Sequence, residues 1–181
     1  MAEPQIRAWK STLQVWSPQD LPLEDRELLN KAHEAAANAY APYSQFHVGG
    51  AVRLEDGTVV LGSNQENMAY PSGMCGERVA VFAAGAQYPG AVMTAVAIVS
   101  PSANAISDAF MPCGGGRQVL VEAERRQGRA MRVLLQVRDE AVMISESAVN
   151  LMPFAFEAKG LGVSASLPTA TDQGCAASGV S

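Results

Sequence analysis

The chain has 181 residues and a mass of 19.0 kDa, which suits one domain of ordinary size, about 100–200 residues, and falls short of two. Hydrophobic residues make up 48% and charged residues 17%, so the stretch 25–156 can bury enough apolar surface to offset chain entropy, and wholesale disorder is excluded. With 13 basic and 18 acidic residues the net charge is −5, and no dense Lys/Arg stripe interrupts it, which argues against nucleic acid or an anionic membrane surface as partner.

The first 22 residues, with Trp9, Trp16 and three prolines, read as an N-terminal extension carrying one short strand over 12–16. Residues 23–40 place Leu28, Leu29, Ala32, Ala35, Ala36 and Ala39 at helical spacing before Pro42 stops the pattern. Residues 46–54 and 58–63 flank Asp56-Gly57 and read as an antiparallel hairpin. Residues 73–87 are Ala-rich between Pro71 and Pro89, a second helix that opens near Cys75-Gly76-Glu77-Arg78.

Residues 91–99 form a nearly continuous apolar run, as in a strand buried on both faces. The run 79–99 is too interrupted, at Gln87, Pro89, Gly90 and Thr94, to read as a membrane span, and the N-terminus shows no basic region leading into an apolar one, so a cytoplasmic location is expected. Residues 100–111 read as loop, 118–126 as a third helix, and 131–137 and 141–145 as two further strands. Residues 157–181, poor in large apolar groups, read as a flexible C-terminal tail holding Cys175. The expected fold of residues 23–156 is a three-layer α/β/α domain around a mixed sheet of about five strands, the hairpin antiparallel and the strands around helices two and three favouring parallel crossovers.

Cys75, Cys113 and Cys175 cannot all pair with one another, and in a reducing compartment they read as thiols or metal ligands. Cys75 and Cys113 each fall at the start of a helix, where backbone N–H groups and the helix dipole favour a thiolate. Glu77 lies within one turn of Cys75. A Cys75–Cys113 disulfide, or an anion nest in the glycine run 114–116, is the alternative reading of these residues. His33 and His47 have no ligand-like spacing and read as structural. Zinc deaminases share the signature His-x-Glu, or Cys-x-Glu, followed by Pro-Cys-x-x-Cys, with the glutamate as proton shuttle.

Over residues 27–156 the chain resembles the cytidine deaminase family, of the small homotetrameric zinc-dependent kind. Carrying the resemblance, in order, are Ala41-Pro42-Tyr43-Ser44-Gln45-Phe46-His47-Val48-Gly49, Asn64-Gln65-Glu66-Asn67-Met68-Ala69-Tyr70-Pro71, Cys75-Gly76-Glu77-Arg78, Pro112-Cys113-Gly114 with Arg117-Gln118, and Leu151-Met152-Pro153-Phe154-Ala155-Phe156. It implies Zn²⁺ on Cys75 and Cys113, a metal-bound water acidic enough to supply hydroxide, and Glu77 as the group that moves its proton. It further implies a pyrimidine nucleoside held by Phe46, Asn64, Glu66 and Gly76, with Phe156 completing a neighbouring subunit's pocket in a homotetramer or homodimer. Arg78 and Arg117 would hydrogen-bond the thiolates.

The chain departs from the family at Gly116, which stands where the last cysteine of Pro-Cys-x-x-Cys belongs. A catalytic zinc normally keeps three protein ligands, and two remain. The expectation is therefore hydrolytic deamination of cytidine or deoxycytidine, impaired by Gly116, with a catalytically silent nucleoside-binding homologue, or a purely structural oligomerisation module, as the alternatives.

Overall fold

In the computed structural model, which describes residues 4–156, Leu28, Leu29, Ala32, Ala35 and Ala36 of the first helical segment are buried, Ala39 is half-buried beyond the helix, and α1 runs Leu23–Ala36. It stops four residues before the expected Tyr40. The chain there is recruited by an extended segment instead: Tyr40 N–H donates to Asn64 O (2.9 Å), and Glu66 N–H donates to Tyr40 O (2.8 Å). The hairpin is β2 (Gly49–Leu54) and β3 (Val59–Ser63), antiparallel, with Gly57 at φ 87° in the turn. There follow α2 (Gly76–Gln87), β4 (Met93–Ser100), α3 (Gly114–Gln127), β5 (Arg132–Val137) and β6 (Val142–Ser145).

α2 begins at Gly76 rather than Gly73, because Tyr70–Ser72 form a separate 3-10 turn and Cys75 is extended, as an N-cap residue must be. α3 begins at Gly114, four residues earlier than expected. The glycines lie in its first turn, where the Arg117 N–H already bonds Cys113 O (2.9 Å), and Gly128 ends the helix at φ 66°.

The sheet has six strands in the order β1-β6-β5-β4-β2-β3, one more than the five expected. The addition is β1 (Gln14–Trp16), the short strand of the N-terminal segment, which pairs antiparallel with β6 at the sheet edge. β4 and β5 pair in parallel, joined through α3, and the crossover through α2 leads from β3 to β4, which run the same way on either side of β2, a strand antiparallel to both. Residues 157–181, read from sequence as a tail, lie outside the described residues.

Alternation along β4 divides the core. Ala95, Ala97 and Val99 face α1 together with Leu28, Leu29 and Ala32, whereas Met93, Val96 and Ile98 join Ala80, Ala84 and Leu120 of α2 and α3. That is the three-layer arrangement the pattern predicts. Gly62 lets α2 approach the sheet: a Cβ there would lie 2.7 Å from Ala80 Cα and 2.9 Å from Gly76 O. The backbone contact holds the N-terminus of α2 against β3 and fixes the depth of Cys75 and Glu77.

Among the described residues no helix is long and apolar enough to cross a membrane.

Candidate active site

Cys75 and Cys113 are the N-cap residues of α2 and α3, and both line one cavity of about 650 Å³ with Glu77 and Arg78. The Cys113 sulfur accepts the Gly116 N–H at 3.4 Å, and Arg78 Nε donates to Cys75 Sγ at 2.9 Å while its Nη2 donates to Gly73 O at 3.1 Å. This sulfur bond is the main reason the Arg78 guanidinium is held even more firmly protonated than usual.

Helix position alone predicts an easily ionised Cys75. Burial reverses that: desolvation first, then the adjacent Glu77 carboxylate, push the thiol up to about 11, against the smaller opposing pull of Arg78. Without a cation, Cys75 is therefore a thiol at neutral pH.

The polar wall is built by β3 and the residues just beyond it. Asn64 is a staple, its Oδ1 accepting the Val48 N–H (2.8 Å) and its Nδ2 donating to Phe46 O (2.8 Å), which fixes the segment that carries the Phe46 ring. Phe46 in turn lies 6.3 Å from the Phe110 ring. Glu66 accepts the Tyr43 N–H (2.9 Å), the Ser44 N–H (3.2 Å) and the Ser44 hydroxyl. The Ser44 hydroxyl is the largest of the influences that hold this carboxyl below the usual glutamate range, so it is ionised at neutral pH.

Of the residues singled out from sequence, Phe46, Asn64, Glu66, Cys75, Glu77, Arg78 and Cys113 all line the cavity. The other three stand apart. Gly76 lies beneath the wall, where a Cβ would be 2.8 Å from Val48 O. Arg117 directs its guanidinium to backbone carbonyls, Nε to Pro112 O (2.9 Å) and Nη1 to Leu151 O (3.0 Å). Phe156 is 65% exposed. Sequence reasoning missed Ile106, Phe110 and Met111, which complete the apolar wall; large apolar residues in an otherwise polar loop were the available signal.

A three-ligand zinc centre does not fit these residues. The donor chemistry is two sulfurs, and a Cβ at residue 116 would run into Glu77 Oε1, so a carboxylate fills the place of the third ligand's side chain. Among the described residues no three His, Cys, Asp or Glu side chains are grouped to hold an ion.

A three-layer α/β/α domain with two cysteines capping neighbouring helices around a buried glutamate defines a deaminase-like class of α/β proteins. The family described as "Cytidine and deoxycytidylate deaminase zinc-binding region" matches residues 22–132. A cytidine deaminase of Halalkalibacterium halodurans is 36% identical over 138 residues, covering 76% of this chain and 98% of the relative. Among solved structures, the cytidine deaminase from Burkholderia pseudomallei is 38% identical with a TM-score of 0.62, over 72% of this chain and 97% of that one. The enzyme from Mycobacterium tuberculosis is 33% identical with a TM-score of 0.58, over 75% and 99%. The chain belongs to the cytidine deaminase family.

Proposed function

We propose that the chain catalyses the hydrolytic deamination of cytidine or deoxycytidine to the uridine product, a cytoplasmic pyrimidine-salvage reaction, at a rate lowered by Gly116. The observation that carries the reading is the gathering of Phe46, Asn64, Glu66 and Glu77 with two cysteines around one cavity of about 650 Å³, a volume suited to a small ligand. Phe46 offers its ring to the base; Glu66, ionised and already anchored, accepts ribose hydroxyls beside Asn64. Glu77 carries the first proton of the attacking water to the ring nitrogen and the second, from the added hydroxyl, to the amino group, which departs as ammonia. Water adds, ammonia leaves, and no redox partner is required.

Zinc belongs to the proposal as an ion held by Cys75 and Cys113 alone, and so more loosely than three ligands would hold it; no step above is routed through it. A homotetramer or homodimer goes with the same reading, Phe156 serving a neighbouring pocket. The exposure of Phe154 (69%) and Phe156 (65%) supports it.

A second reading, nucleoside binding without turnover, is favoured by the carboxylate at the place of the third ligand. Zinc per chain and cytidine turnover, measured in the native protein and in Gly116→Cys, separate the two. Turnover in the native protein, raised several-fold in Gly116→Cys, is the expected result. No turnover in either form, with a full equivalent of zinc in the variant, defeats the deaminase reading.

A further inference from the structure

Three glycines open α3, and they are not equivalent. A Cβ at Gly114 would meet nothing within 4 Å, and at Gly115 only Cys113 Sγ at 3.9 Å. At Gly116 it would collide with Glu77 Oε1 and lie 3.2 Å from Glu77 Cδ and 3.4 Å from Pro112 Cβ. Gly116 is buried, and Glu77 is only 3% exposed. The vacated side-chain space at 116 is therefore full, and what fills it is the carboxylate that the reaction needs.

We propose that Gly116 and Glu77 form one unit: the carboxylate lodges in the niche of the missing side chain, so residue 116 positions Glu77, and any side chain there drives it toward the nucleoside. Loss of a third ligand and retraction of the proton carrier then have a single cause. Cysteine at 116 would reverse both; alanine, which cannot ligate, would reverse only the second. The colliding atom is the far end of a flexible side chain, with the Glu77 backbone clear of the contact, so rotation of Glu77 relieves the clash without moving α3. The functional part of this inference rests on the nucleoside reading above; the packing part does not.

The test is a double-substitution cycle on the full chain in chelator, read by thermal unfolding. Alanine for glycine in a helix lowers the entropy cost of folding. In a Glu77→Ala background Gly116→Ala should therefore raise the melting temperature by about 2–4 °C. With Glu77 present the gain should vanish or become a loss. Gly114→Ala, on open space, should give the same shift in both backgrounds. Should Gly116→Ala alone fail to fold, recovery in the double variant is the same result. Equal shifts for Gly116→Ala with and without Glu77, or failure of both to fold, overturn the proposal.

Cytidine affinity in chelator reads the positioning itself. Gly116→Ala should tighten binding threefold or more, an effect abolished by Glu77→Ala, and the same change in both backgrounds overturns it. If cytidine binds none of the proteins, the nucleoside reading fails while the thermal cycle still decides the packing of Glu77.

Discussion

The two cysteines look alike in sequence, each ahead of a helix, yet their surroundings differ. Cys113 is exposed, its sulfur taking one backbone N–H, whereas Cys75 is partly buried and its thiol is pushed up to about 11, burial being the largest cause. Since the thiolate is the nucleophile, iodoacetamide at pH 8 should label Cys113 of the metal-free chain about tenfold or more faster than Cys75, as read by peptide mass spectrometry. A raised value favours the neutral thiol, so labelling of Cys75 should keep climbing with pH beyond the ordinary thiol range, toward pH 11. Equal rates at pH 8 would show that Cys75 is not desolvated. The same contrast marks a boundary of sequence reading. Residue identity and order located Cys75, Glu77 and Cys113, but the burial that decides their protonation depends on how deeply α2 sits, which Gly62 sets from another strand.

At the scale of elements, legibility followed strong local pattern. The 3.6-residue spacing of α1, the Asp-Gly turn of the hairpin and the unbroken apolar run of β4 place these elements close to where they lie, while the end of α1 shifted because Tyr40 bonds a distant segment. Three glycines are poor helix formers, so the regular part of the third helix is expected only from 118, whereas Cys113 as N-cap adds a first turn that begins at Gly114. Glu124 lies in α3 and belongs to none of the motifs. Its spacing from Leu120 nevertheless puts it on the inward face, where it accepts the N–H groups of Met131 (2.9 Å) and Ala148 (2.6 Å) and the Ser147 hydroxyl. It thereby fastens residues 147–149 to α3, just ahead of the segment bearing Phe154 and Phe156. Glu124→Ala should lower unfolding free energy by about 3 kcal/mol in a urea titration, because buried donors lose a charged acceptor. A change under about 0.5 kcal/mol would mean that this anchor contributes little.

Over the whole molecule, distant segments converge in ways no local pattern records. Asp25, fully buried at the start of α1, receives Arg132 Nη1 on both oxygens (3.0 and 2.9 Å), with Arg53 Nη2 3.6 Å away, and so ties α1 to β5 and β2. Ser11 and Thr12 bond Asn150, and the Trp9 and Phe154 rings lie 6.3 Å apart, so the N-terminal extension closes over the far end of the domain rather than trailing from it. Sheet order, too, was beyond the sequence, since it depends on which hydrophobic faces meet. The motif order nevertheless carried the family, because the cavity draws its lining from short stretches of sequence, among them 64–67, 73–75 and 109–113.

Direct assay of the central claim is uridine formed from cytidine by the purified full chain supplied with zinc, beside Glu77→Gln, which keeps the side chain's size but cannot take the water's proton. Slow turnover by the native chain that falls a hundredfold or more in Glu77→Gln is the predicted result. Equal rates in the two proteins would contradict it, since the glutamate between the cysteines would then carry no part of the reaction.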